Sequence, residues 1–263
     1  MRVKDPQAKF LRVLYYFWGL NPGKETMRIG ILAAMPEEIE ALVGAIDRSD
    51  STEVGLRTYH RGTLHGVECV LVHSRIGKVA AASTATQLID RFEVDRVLFT
   101  GLAGGVGDGV RRGDLVIGTE LIQHDLDASP LFPRHEVPLL GIQRFATDAR
   151  MNAQLVEAAR EVAGQRGHSV HSGLIATGDQ FFSSRESVSR LKAQIPDTLC
   201  VEMEGAAVAQ ICHEHAVPFS IIRTISDSAD DGAVADFSEF LHQVAGPYAL
   251  GVVSRFLEKS FLC

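Results

Sequence analysis

The chain has 263 residues, 46% of them hydrophobic and 22% charged, with 24 glycines; this is an ordinary globular composition and excludes disordered, collagenous and fibrous chains. A formal net charge of −7 argues against a general attraction to nucleic-acid phosphates or anionic lipid. Four scattered cysteines, Cys69, Cys200, Cys212 and Cys263, form no Cys-x-x-Cys pair and no Cys/His metal spacing, which favours reduced thiols in a cytoplasmic protein and argues against a metal site.

Residues 1–26 stand apart. Five basic residues against Asp5 and Glu25 give them +3, leaving −10 from Met27 onward. The apolar run at 10–20 carries Arg12 and lacks a small-x-small cleavage site, so a secretory signal is not expected. It is also shorter than the roughly 18 apolar residues of a membrane-spanning helix. The expectation is an extension outside the fold over 1–26 and a single domain over 27–263.

From Met27 the pattern alternates short β-branched runs with helical stretches. A strand is predicted at 28–34. Pro36 then suits the first helical position, with Glu37 and Glu38 in a first turn where carboxylates favour the helix dipole, and the helix runs to about 46. Residues 57–64 and 67–74 flank His65-Gly66 as a hairpin. Residues 77–92 are alanine-rich and read as a close-packed helix, and 96–100 as a buried strand. The glycine-rich segment 101–109 follows, then a strand at 114–119, a helix at 149–166, a strand at 170–177, and a short strand at 199–202 that leads into a helix at 205–215. A strand at 218–225 and a terminal helix at 237–259 complete the series. Interleaved strands and helices predict an α/β fold, a three-layer α/β/α sandwich with a mixed, largely parallel central sheet. Ligands of such sheets gather beyond the carboxyl ends of the strands.

Acidic residues fall at three such ends: Glu38 after the first strand, Glu202 and Glu204 after the strand at 199, and Asp227 after the strand at 218–225. One acidic residue there is usually a helix cap or a solvated turn. Three at one sheet edge point to a site. The glycine segment has neither the Gly-x-x-x-x-Gly-Lys-Ser/Thr of a nucleotide-phosphate loop nor the spacing and following helix of a dinucleotide site. It offers a close backbone approach to a ligand, or a tight turn.

Six segments taken together carry a family resemblance: Met27-Arg-Ile-Gly-Ile-Leu-Ala-Ala-Met-Pro-Glu-Glu38, Ser74-Arg-Ile-Gly-Lys-Val-Ala-Ala-Ala82, Thr100-Gly-Leu-Ala-Gly-Gly105, Thr177-Gly-Asp-Gln-Phe-Phe182, Val201-Glu-Met-Glu-Gly-Ala-Ala207 and Arg223-Thr-Ile-Ser-Asp227. In this order they resemble the motifs of bacterial 5′-methylthioadenosine/S-adenosylhomocysteine nucleosidases. The resemblance implies a phosphorylase/hydrolase-like sandwich, a homodimer, no cofactor, and hydrolysis of the adenine N-glycosidic bond of small-molecule adenine nucleosides. It further implies Asp227 as the general acid toward purine N7, with Ser226 beside it, and Glu38 as the base that activates water. Glu204 would hold the ribose hydroxyls, Met203 would pack on the sugar, and Phe181 would stack on the base while the Phe182 backbone reads its edge. Gly104 would offer a backbone contact and Arg223 a supporting charge.

The sequence departs from this pattern at Leu102, where many relatives carry serine or another small residue, and over 129–138, a stretch expected to help form the 5′-substituent pocket across the dimer. Met35, Ile76, Leu131, Pro138 and Phe237 are the candidate apolar wall for a thioether. Two other readings remain: a phosphate-dependent nucleoside phosphorylase, and a non-catalytic nucleoside-binding module, since a fold alone establishes no activity.

Overall fold

The computed structural model describes residues 27–230 and 232–260; the extension expected over 1–26 and Cys263 lie outside them. Ten strands form one sheet: β1 (Arg28–Ala33), β2 (Asp47–Val54), β3 (Arg57–Leu64), β4 (Val67–His73), β5 (Arg96–Gly105), β6 (Leu115–Gln123), β7 (Arg144–Ala146), β8 (Val170–Thr177), β9 (Thr198–Glu202) and β10 (Phe219–Asp227). The helices are α1 (Pro36–Ala45), α2 (Lys78–Asp90), α3 (Ala149–Gly164), α4 (Arg185–Gln194), α5 (Gly205–Glu214), α6 (Ala233–Phe240) and α7 (Gly246–Ser260), with a π turn at Leu241–Ala245 joining the last two. None of them is long and apolar enough to cross a membrane.

The strand order is β10-β6-β8-β9-β5-β1-β4-β3-β2, and β10 pairs with β5 as well as with β6. Strands β5, β10, β6, β8 and β9 therefore close on themselves, and β1, β4, β3 and β2 extend as an open wing from β5. The parallel pairs are β1–β4, β1–β5, β5–β10, β6–β8 and β8–β9, while β9 runs antiparallel to β5 and β10 antiparallel to β6.

Two apolar layers sandwich this sheet, as the strand–helix alternation predicts. Successive side chains on a strand point to opposite faces. Ile29 and Ile31 of β1, Cys69 and Leu71 of β4 and Leu98 of β5 pack with α1, α3 and α7. Val70, Val72, Val97 and Phe99, from the alternate positions, pack with Ala81, Ala85 and Leu88 of α2 and with Val208 and Ala209 of α5. The alanines let both of those helices lie close to the sheet.

Several elements differ from the sequence reading. Strand β2, polar except for Val54 at its end, pairs antiparallel with β3; an exposed edge strand needs no continuous apolar face. The glycine segment is no turn at its start, because β5 runs on through Gly105. The terminal helix begins earlier, at Ala233, and the π turn interrupts it. That extra residue re-phases the helix, and Phe240, Leu241 and Ala245 all pack against Leu102 of β5.

Candidate functional site

The ends of β1, β5, β9 and β10 surround a cavity of about 340 Å³. The sequence-predicted residues Glu38, Ile76, Gly104, Phe181, Phe182, Met203, Glu204, Ser226, Asp227 and Phe237 all line it, with Met35 and Leu102. Leu131 and Pro138 do not line it within this chain, and Arg223 lies behind its wall. Gln180 and Val201 also contribute to the lining; both stand inside motifs quoted above, where no role was assigned to them.

Glu38 is buried, with 2% of its surface exposed. Pro36 starts α1 and puts Glu38 at its third position, from which the carboxylate reaches back over the helix terminus. Its Oε2 accepts the N–H groups of Ala34 and Met35, each at 2.8 Å, and its Oε1 accepts that of Leu102 at 2.8 Å. Helix capping and cavity lining thus fall to one side chain. Burial pushes its pKa above the ordinary carboxylate range, opposed by the Arg223 charge and by these three donors, which bind the anion. Such a group is a stronger base than a solvated glutamate and still has partners for its ionised form.

Arg223 is 1% exposed. Its Nη2 donates to Glu202 at 2.5 Å and lies 3.8 Å from Glu204, and its guanidinium stacks on Phe99 at 4.1 Å from the ring centre. Burial alone would lower its pKa, yet Glu202, Glu204 and Glu38 hold it firmly charged. Space for it comes from Gly101, where a Cβ would stand 2.3 Å from Arg223 Nη1 and 2.9 Å from Glu38 Oε1. This is the close approach that the glycine segment serves.

The structure separates the two glutamates that the sequence grouped. Glu202 also accepts the N–H groups of Glu204 and Gly205 and the Thr177 hydroxyl, so it fastens the start of α5. Among the described residues Glu204 accepts one hydrogen bond, from the Gly77 N–H at 2.8 Å, beside the longer Arg223 contact, which leaves capacity for ligand hydroxyls. Burial and the neighbouring Glu202 push the Glu204 pKa up, against the Arg223 charge and the Gly77 N–H.

Asp227 ends β10 at a register shift against β5, and such an irregularity re-aims a side chain. It is 2% exposed. Ser226 donates its hydroxyl to Oδ2 at 2.7 Å, and Ala229 donates its N–H to Oδ1 at 2.8 Å. A Cβ on Gly104 would stand 3.1 Å from Oδ1. Burial pushes the pKa of this carboxyl up; the Ser226 and Ala229 bonds pull it back, and the Asp236 and Asp230 charges push it up further. Among the described residues no full positive charge faces it at bonding distance, in contrast to Glu202. Glu38 binds at Leu102 and Asp227 packs at Gly104, two residues or about 7 Å apart along β5.

At the mouth, the exposed Phe181 meets Phe237 edge to face with ring centres 5.7 Å apart, while Phe182 is buried. The site joins three buried carboxyl groups, Glu38 held by three amides beside Arg223, Asp227 with acidic neighbours and Glu204 with acceptor capacity to spare, and an aromatic mouth. Among the described residues no group of three or more His, Cys, Asp or Glu could hold a metal ion.

Known proteins share this arrangement of the chain. The family model of the phosphorylase superfamily matches residues 28–258. The 5′-methylthioadenosine/S-adenosylhomocysteine nucleosidase of Actinobacillus succinogenes is 39% identical over 216 residues, which cover 82% of this chain and 92% of that protein. The enzyme of the same name from Anoxybacillus flavithermus is 41% identical over 221 residues, covering 83% and 93%. Among solved structures, the Neisseria meningitidis nucleosidase in complex with methylthio-immucillin-A superposes with a TM-score of 0.83 at 38% identity, covering 88% of this chain and 99% of that one. The Streptococcus pneumoniae nucleosidase with a transition-state inhibitor gives 0.81 at 39% identity, covering 88% and 99%. With the likeness extending over the whole described fold, the chain belongs to the 5′-methylthioadenosine/S-adenosylhomocysteine nucleosidase family of the phosphorylase superfamily.

Proposed function

We propose that this protein is an N-glycosyl hydrolase that releases adenine from 5′-methylthioadenosine and S-adenosylhomocysteine, and also from 5′-deoxyadenosine, leaving a 5′-substituted ribose. The single observation that carries the reading is the placing in one cavity of Glu38 and Asp227, two buried carboxyl groups with different charged neighbours, Arg223 beside the first and Asp236 and Asp230 near the second. Asp227 gives its proton to N7 as the C1′–N9 bond breaks, so that the base leaves neutral. Glu38 takes a proton from the water whose oxygen bonds to C1′. Two carboxyl groups in different protonation states are the general requirement for hydrolysis through an oxocarbenium-like transition state. Glu204 accepts from the ribose hydroxyls and Met203 packs on the sugar. Phe181 covers the base, the Phe182 backbone and Gly104 contact the ligand, and Ser226 orients the acid. Met35, Ile76 and Phe237 face the 5′-substituent. Arg223 supports the glutamates from behind.

Phosphate as the nucleophile fits less well. An anion site needs free amide donors or cations. Here the amides of Ala34, Met35 and Leu102 are already taken by Glu38, and Arg223 is engaged with Glu202. Adenine release from methylthioadenosine should therefore proceed in phosphate-free buffer and change by less than about twofold when phosphate is added. Formation of 5-methylthioribose 1-phosphate would overturn hydrolysis, and absence of any turnover would leave a nucleoside-binding module.

The proposal extends to a cytoplasmic homodimer built on one domain over residues 27–263. Val79 at the start of α2, Leu131 and Leu139 are 82%, 84% and 94% exposed, and Val79 lines a groove together with Ile76, which also lines the cavity. A second copy would cover them and bring the 129–138 stretch to the neighbouring mouth. Sedimentation at micromolar concentration should give a dimer; a monomer alone refutes this part.

A further inference from the structure

The walls for the base and for the sugar come from different parts of the chain, and their relative position is set by a small polar assembly outside the cavity. The base wall is the loop after β8, a tight turn closed by the Gln180 N–H on the Gly178 carbonyl at 2.7 Å. The sugar-facing residue Glu204 precedes α5. Both are fastened to consecutive amides at the start of α2: Gly77 N–H donates to Glu204 Oε1 at 2.8 Å, and Lys78 N–H to Asp179 Oδ1 at 2.8 Å. Gly77 has φ +97°, and a Cβ there would stand 3.1 Å from Asp179 Oδ1.

A third element locks the arrangement. Asp125, just beyond β6, accepts the Asp179 N–H at 2.9 Å with Oδ2 and the Lys78 ammonium at 2.6 Å with Oδ1. Lys78, Asp179 and Asp125 thus form a closed cycle of three hydrogen bonds. The preceding residue supports the same loop from below. His124 donates its N–H to the Thr177 carbonyl at 2.9 Å and sets its ring edge-on to Phe182, with centres 5.2 Å apart. The ring fits because residue 178 is glycine; a Cβ there would stand 2.2 Å from His124 Nε2.

We propose that Asp125, together with Lys78, is a positioning residue that holds the base-reading loop in register with the sugar-binding glutamate, and so governs affinity for the nucleobase without touching it. Neither side chain lines the cavity. The bonds hold a surface loop that carries Phe181 and Phe182, and a small displacement of such a loop weakens binding disproportionately. The inference rests on the nucleosidase reading and deepens it.

The test uses the full-length protein with Asp125→Asn, Asp125→Ala and Lys78→Met. Asparagine keeps an acceptor for Asp179 and loses the charge facing Lys78, so its effect should be the smaller of the two Asp125 changes. For Asp125→Ala, KM for methylthioadenosine and the inhibition constant of free adenine should both rise about tenfold, with kcat within about threefold of wild type. Binding of methylthioribose, which has no base, should stay unchanged. Lys78→Met should reproduce the pattern and guards against a folding defect at Asp125. Unchanged adenine affinity, or equal losses for adenine and methylthioribose, overturns the proposal. A wild-type protein that binds adenine and turns nothing over refutes the reading beneath it, while the variant-to-wild-type ratio of adenine affinity still tests the anchor.

Discussion

Replacing Asp227 with asparagine is expected to lower kcat by about 10²–10⁴-fold, the range that a positioned general acid contributes, while substrate binding stays measurable by calorimetry. Asparagine preserves the shape and keeps acceptors for neither more nor fewer neighbours than one amide oxygen allows. It has no acidic proton to hand to N7. The pH profile sharpens the test. In the proposed mechanism Asp227 works in its neutral form, and burial shifts its titration upward, so wild-type activity should extend above the ordinary carboxylate range and decline as pH rises through that raised pKa. In the Asp227→Asn variant this alkaline decline should vanish from the residual rate. An unaltered rate would remove Asp227 from the chemistry.

Arg223→Met should have the largest effect on stability, a loss of about 3–5 kcal/mol, as expected when one partner of a buried ion pair is removed. Methionine fills part of the volume over Phe99 but leaves Glu202, Glu204 and Glu38 mutually repelling in a buried cluster. Denaturant titration reads the loss as a shifted midpoint. A second change, Glu202→Gln, should return part of it, so that the double variant is more stable than Arg223→Met alone; that non-additivity identifies a direct pair. A shift below about 1 kcal/mol for Arg223→Met would mean that the cluster has another source of compensation.

Much of this was legible in the sequence because the chemistry is concentrated at strand ends. Periodicity located β1, β4, β8 and β10, and the proline and acidic pair located the start of α1. What escaped has physical causes. Strand β2 gave no signal because an exposed edge strand needs no apolar alternation, and only Val54 at its end meets the core. Helix α4 had one that went unused: Ser184 caps it, accepting the Ser187 N–H at 3.3 Å, and Leu191 and Ile195 are buried along one side. The glycines of β5 left a close approach and a tight turn both open, because composition alone does not distinguish a bend from a strand pressed by large neighbours. Glu202 and Glu204 look alike in sequence; only the position of Arg223 and Thr177 makes one an anchor and leaves the other open to a ligand.

The closure of β5, β10, β6, β8 and β9 on one another has a bearing on how the protein comes into being. Strand β10, residues 219–227, inserts between β5 and β6 and brings both Arg223 and Asp227. A ribosome-bound polypeptide that stops short of it already carries Glu38, Glu202 and Glu204 but has neither their counter-ion nor the carboxyl group proposed as the proton donor. Pairings so distant in sequence form slowly, so the buried acidic cluster gains its neutralising charge late in the making of the chain.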